Sequence, residues 1–129
     1  MTEEFDTTKP IYIQIIEKIN KKIVRNEWKA GDKLPSVREM AVQTGVNPNT
    51  IQRTYSELER MGIVETRRGQ GTFVTENMEV IEQLREQLKR DIVADFVRNM
   101  TELGFTLDDM IVSLKNYNGN EEGESNDSI

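Results

Sequence analysis

The 129-residue sequence predicts a mainly α protein with one small β-hairpin, in the order three helices, hairpin, two helices. Three observations predict it. Apolar residues recur at three- and four-residue spacing in several separate segments, as the buried faces of helices do. Gly45-Val46-Asn47-Pro48 joins two of those segments with room for little more than a tight turn. Residues 63–66 and 72–75 are short β-prone runs on either side of Arg67-Arg68-Gly69-Gln70-Gly71, which reads as a hairpin with a flexible basic tip.

Each element has its own signal. In PIYIQIIEKINKKIVRNEW, Ile11, Ile15, Ile19 and Ile23 lie four apart with Ile16 beside them, the stripe of a first helix, and Pro10 suits its first turn. KAGDKLPS breaks the pattern with Gly31 and Pro35. Ser36 and Glu39 have capping-box spacing, so a short second helix starts at Ser36; Gly45 ends it. Asn47 is a good N-cap for the third helix, and Pro48 sits at the first helical position, where its missing N–H costs nothing. Ile51, Tyr55, Leu58 and Met61 form that helix's apolar face, and Gly62 supplies a left-handed stop. Tyr55, Trp28 and Phe73 read as core.

The character changes after Glu76. Ile81, Leu84, Leu88, Ile92, Phe96, Met100 and Leu103 recur at three or four residues, a long amphipathic helix ending at Gly104. Thr106 and Asp109 cap a shorter helix in TLDDMIVSLKNY. The ending, NGNEEGESNDSI, is polar and acidic with almost nothing to bury, and disorder is expected there. The expected organisation is therefore residues 1–76, 77–116 and a loose tail, 117–129.

Composition excludes much chemistry. With no cysteine and no histidine, the chain lacks thiolate nucleophiles, zinc-thiolate sites and the commonest general base. RRGQGT lacks the lysine and Ser/Thr of a phosphate-binding loop. Asp108 and Asp109 suit a helix dipole better than a metal ion. No catalytic residue, metal or cofactor is expected. No apolar run approaches the ~20 residues of a membrane span, and the acidic N-terminus is no signal peptide, so a cytoplasmic location is expected. The net charge of −6 is uneven: residues 1–76 carry 12 basic and 11 acidic side chains, residues 77–129 carry 5 and 12. Local fields govern binding, so the acidic total does not exclude nucleic acid.

Two helices joined by a tight turn, followed by a hairpin, have the order of a winged helix-turn-helix. That order gives the polar start of the third helix a use. The major groove admits a helix whose N-terminal residues meet base edges, and Asn47, Asn49 and Thr50 can hydrogen-bond there. Arg38 could reach a guanine or a phosphate, or pair with Glu39. Arg67 and Arg68 flank a tip whose Gly69 and Gly71 let the backbone approach a minor groove.

GDKLPSVREMA, GVNPNTIQRTYSELERMGIVE and RRGQGTFV, in that order and spacing, resemble the DNA-binding domain of the GntR family of bacterial transcription regulators, over about residues 10–75. The resemblance implies a winged-helix homodimer on a palindromic double-stranded operator, usually a repressor released by a small effector. It implies DNA contacts at Arg38, Asn47, Asn49, Thr50, Arg68 and Gly69, with Arg67 and Gln70 in the wing and Gln52 and Arg53 one turn further along the helix. Pro48 departs from the pattern, since many members carry a basic residue there. The sequence has 53 residues after Glu76, so no large effector domain is expected among them. The two C-terminal helices resemble instead those of the YtrA subfamily, whose members often control transporter genes. The apolar stripe Ile81, Leu84, Leu88, Ile92, Phe96 and Met100 is expected to pack between subunits. A winged-helix module that binds protein is the alternative; it would expose apolar side chains where these polar ones stand.

Overall fold

The computed structural model describes residues 5–118 and contains seven elements: α1 (Ile11–Val24), α2 (Val37–Thr44), α3 (Pro48–Arg60), β1 (Val64–Arg67), β2 (Gly71–Val74), α4 (Met78–Glu102) and α5 (Leu107–Asn116). They form two compact units, one ending at Arg85 and the other beginning at Glu86. The first unit is a winged helix-turn-helix domain; the remainder is helical. The expected disordered stretch lies outside the described residues from position 119 onward.

Helix starts fall where the capping residues place them. Ser36 accepts from the Glu39 backbone N–H while the Glu39 carboxylate accepts from the Ser36 N–H, at 3.0 and 2.8 Å, so both sides of the capping box are made. Glu39 is thereby engaged with the cap. Gly45 closes α2 at φ +72°, a conformation that costs glycine nothing. Asn47 caps α3 through a 2.7 Å bond from the Asn49 N–H, and Pro48 is its first residue. Pro10 stands one place earlier than expected, at the N-cap of α1.

The core of the first unit forms where α1, α2 and α3 meet. Ile15, Ile19 and Ile23 of α1, Met40 of α2, and Ile51 and Leu58 of α3 are buried together with Ile63, Val64 and Val74. Ile11 belongs to the expected stripe but is exposed, because it is the first residue of the helix and extends past the packed face. Trp28 and Phe73 are half-buried, whereas Tyr55 is buried.

The wing is an antiparallel pair with Val64 opposite Val74 and Arg67 opposite Gly71. Both strands lie one residue nearer the tip than the β-prone runs suggested, and this leaves Arg68-Gly69-Gln70 as the loop. A third segment joins them. Lys33 bridges Phe73, and three main-chain bonds lace residues 31–34 to β2: Gly31 N–H to Val74 O, Leu34 N–H to Thr72 O, and Val74 N–H to Asp32 O, at 2.8–3.0 Å. The approach is close. A Cβ on Gly71, which has φ +127°, would come within 2.7 Å of the Lys33 Cε.

α4 begins as part of the first unit. Ile81 is buried in the same cluster and Leu84 packs against it, while Arg85 donates from its guanidinium to the carbonyl of Val24. This corrects the expected intersubunit stripe at its beginning: Ile81 and Leu84 face the core of their own chain, because the turn after β2 lays the first two turns of α4 on it. In the second unit, Leu88, Phe96 and Met100 are half-buried and Ile92 is exposed. Gly104, at φ +93°, separates α4 from α5. Thr106 and Asp109 make both bonds of the second capping box, at 3.1 and 2.9 Å. Among the described residues no helix is long and apolar enough to cross a membrane.

Candidate nucleic-acid interface

The first turn of α3 starts at an exposed cap. Because the Asn47 carbonyl oxygen is occupied by the Asn49 N–H, the side chain has its amide NH2 left to offer. Asn49 and Gln52 are exposed with both amide groups unengaged among the described residues. Thr50 is half-buried; its carbonyl takes the hydroxyl of Thr54, which is fully buried and anchors the inner face. Positions 49, 52 and 53 are three and four residues apart, so they share the outward face of the helix.

Four cations surround this face in sequence, and the structure sorts them. Arg38 on α2 is exposed and makes no ion pair among the described residues, so the alternative pairing with Glu39 is not made. Arg53 stands with its guanidinium carbon 3.8 Å from the centroid of the Tyr12 ring on α1. Arg68 is exposed at the wing tip with no ion pair among the described residues. Arg67 differs from them. It lies 4.1 Å over the Phe73 ring and within 3.8 and 3.9 Å of the Glu65 and Glu76 carboxylates, half-buried at the end of β1. Register makes the difference: Arg67 is a strand residue opposite Gly71, and Arg68 is the first residue of the loop.

The wing tip and the start of α2 line one open depression of about 430 Å3, bounded by Lys33, Ser36, Val37, Tyr55 and residues 66–72. Tyr55 forms part of its wall, and its hydroxyl donates a 2.7 Å bond to the Pro35 carbonyl. Burial pushes the Tyr55 phenol above its usual pKa, and the Glu39 carboxylate adds to the shift. Gly69, at φ +76° with open space around it, and Gln70, whose N–H bonds the Arg67 carbonyl at 2.8 Å, complete the tip. Among the described residues, no cluster of carboxylates could hold a metal ion.

Two residues of this surface escaped the sequence. Lys33 lies in what reads as a loop break, and only its bridge to Phe73 places it beside the wing. Tyr12 is one aromatic residue in an isoleucine-rich helix, and its position two residues after Pro10 carries no signal that it meets Arg53.

Comparison with known proteins agrees with this geometry. Residues 11–74 match the family described as bacterial regulatory proteins, gntR family. The HTH-type transcriptional regulator YhcF of Bacillus subtilis is 56% identical over 117 residues, which cover 91% of this chain and 97% of that protein. The HTH-type transcriptional repressor YtrA of the same organism is 46% identical over 90 residues, 65% of this chain and 69% of that one. Among solved structures, a GntR family transcriptional regulator from Listeria monocytogenes superposes with a TM-score of 0.84 at 43% identity, covering 88% of this chain and all of that one. The AraR DNA-binding domain, solved in complex with its operator ORX1, superposes with a TM-score of 0.51 at 28% identity, over 58% of this chain and 92% of that one. The winged helix-turn-helix, the polar start of α3 and these relatives together make the chain a member of the GntR family, a YtrA-like, DNA-binding transcription regulator.

Proposed function

We propose that the chain acts as a cytoplasmic homodimer that represses transcription by occupying a palindromic operator. Asn47, Asn49 and Thr50 enter the major groove, with Gln52 and Arg53 following one turn behind. Arg38 supports them from α2. The wing, residues 67–71, reaches the adjacent minor groove, where Arg68 and the open backbone at Gly69 and Gln70 meet the sugar-phosphate edge. The observation that carries this reading is the outward face of α3, an exposed helix start bearing amides that are unengaged among the described residues, together with Arg38 and Arg68, both exposed and without an ion pair among those residues.

Residues 1–76 are the DNA-binding domain in this reading, and residues 77–116 the dimerisation region. The support for self-association lies in the second unit. Ile92, Leu103, Leu107, Val112 and Leu114 are all more than half exposed, more apolar surface than a short helical segment leaves to water unless a partner covers it. Leu88, Phe96 and Met100 extend the same helix's apolar stripe, and a two-fold dimer matches two operator half-sites. A small effector that loosens the operator complex completes the scheme.

Selection of bound sequences from a random duplex library tests the proposal, followed by anisotropy titration of the winners and sedimentation of the free protein. An inverted repeat bound by two chains is the expected result. Recovery of a single half-site by a monomer would overturn the dimer, and failure to enrich any sequence would overturn the operator reading.

A further inference from the structure

Tyr12 and Arg53 come from different helices, α1 and α3, yet meet at 3.8 Å between guanidinium carbon and ring centroid. We infer that this stack is a pre-set phosphate clamp: Tyr12 holds Arg53 so that its guanidinium edge takes a backbone phosphate beside the base-reading turn of α3. The inference rests on the proposed role of α3 as the recognition helix.

The chemistry follows from the shape of the two groups. The ring attracts the flat face of the cation. The five N–H donors lie in the guanidinium plane and point out of its edge, so stacking leaves them available to two phosphate oxygens at once. Holding the side chain before DNA arrives also removes rotamer freedom that binding would otherwise have to remove. Tyr12 is itself fixed, being half-buried and packed against the core cluster.

The nearest acid on the same helix feels the charge of Arg53 but is held by another cation. Glu57, one turn after Arg53, is taken by Arg60, whose Nη2 donates to it at 2.8 Å. The Arg60 hydrogen bond is the first cause that keeps the Glu57 carboxyl below its usual range, and the charge of Arg53 is the last. Arg53 makes no ion pair among the described residues. The wing offers the contrast: Arg67 is also stacked on a ring, but two carboxylates share its charge. Position then selects phosphate over base. Arg53 lies four residues beyond Asn49, about 6 Å along the axis. When a first turn meets base edges, the next turn stands nearer the groove wall, where the phosphates are.

The test uses the full-length chain and a short random-sequence duplex, with anisotropy titrations across a salt series. Arg53→Ala is expected to weaken binding and lower the salt slope by about one unit. Tyr12→Leu is expected to weaken binding several-fold, Tyr12→Phe to leave it unchanged, and Tyr12→Leu to add nothing once residue 53 is alanine. Additive losses would mean that Tyr12 acts on the fold alone, and equal losses in Tyr12→Phe and Tyr12→Leu would assign the effect to the hydroxyl; either overturns the clamp. Asn49→Glu separates the clamp from the reading beneath it, because it places a negative charge at the helix start. If that variant loses DNA while Arg53→Ala keeps it, the clamp falls and the recognition helix stands. If neither loses DNA, the recognition helix falls and the clamp with it.

Discussion

The hydroxyl of Tyr55, in the second turn of α3, donates a 2.7 Å hydrogen bond to the main-chain carbonyl of Pro35, immediately before the cap of α2. The two helices of the helix-turn-helix are thus joined by a polar bond as well as by apolar contacts, at a place where the phenol is buried. Tyr55→Phe leaves the Pro35 carbonyl without that donor and is expected to lower stability by about 1–2 kcal/mol in urea unfolding. The pH dependence follows from the raised phenol pKa. The folded state keeps its proton where the unfolded chain, near pH 10, begins to ionise, so this contribution is complete below about pH 10 and declines as the pH rises above it. Tyr55→Phe should flatten that alkaline decline. An identical decline in the variant would assign it to other groups.

Asn47 has two separable duties, a cap and a proposed base contact. Asn47→Ala is expected to cost about 1 kcal/mol of stability and to weaken DNA binding as well. Asn47→Ser keeps an acceptor for the Asn49 N–H, so it should melt like the parent but still bind operator less tightly. Parental affinity in the serine variant would confine Asn47 to capping.

Arg38→Ala removes an exposed cation with no ion-pair partner among the described residues, so its effect should appear in DNA binding and not in stability. A loss of about 1–3 kcal/mol that also relaxes preference at one base pair is expected for an arginine bidentate to guanine. Titration of a panel of single-base operator variants reads this directly. A uniform loss over the panel would make Arg38 a phosphate contact.

The adjacent wing arginines should behave differently. Arg68→Ala is expected to weaken binding and to flatten the dependence of log K on log salt by about one unit, since its charge is uncompensated. Arg67→Ala should lower the melting temperature, because it removes the stack on Phe73 and the contacts with Glu65 and Glu76, while changing the salt slope less. Reversed results would place Arg67 on the DNA and Arg68 in solvent.

What the sequence discloses here is what lies close together along it. Ser36 with Glu39, Asn47 with Asn49, and Thr106 with Asp109 start helices through bonds that span three residues or fewer, so local sequence alone locates α2, α3 and α5. The bridge between Lys33 and Phe73 could not be read that way, because its partners are far apart in the chain and Gly31 and Pro35 mask the extended segment. Periodicity gave α4 an apolar stripe but not the surface that covers it, and Ile81 and Leu84 turned inward to their own domain. Arg67 and Arg68 are indistinguishable as letters. Strand register alone separates the tethered one from the free one.

The lacing of residues 31–34 to β2 brackets α2 and α3 in the chain, and it is made by main-chain groups. Such bonds do not ask which side chains stand between them. The outward residues of the bracketed helices can therefore be exchanged while the frame that presents them persists. In the proposed reading, Asn49 and Gln52 are interchangeable type in a fixed press: exchanging them would set new operator preferences without recasting the domain that prints them.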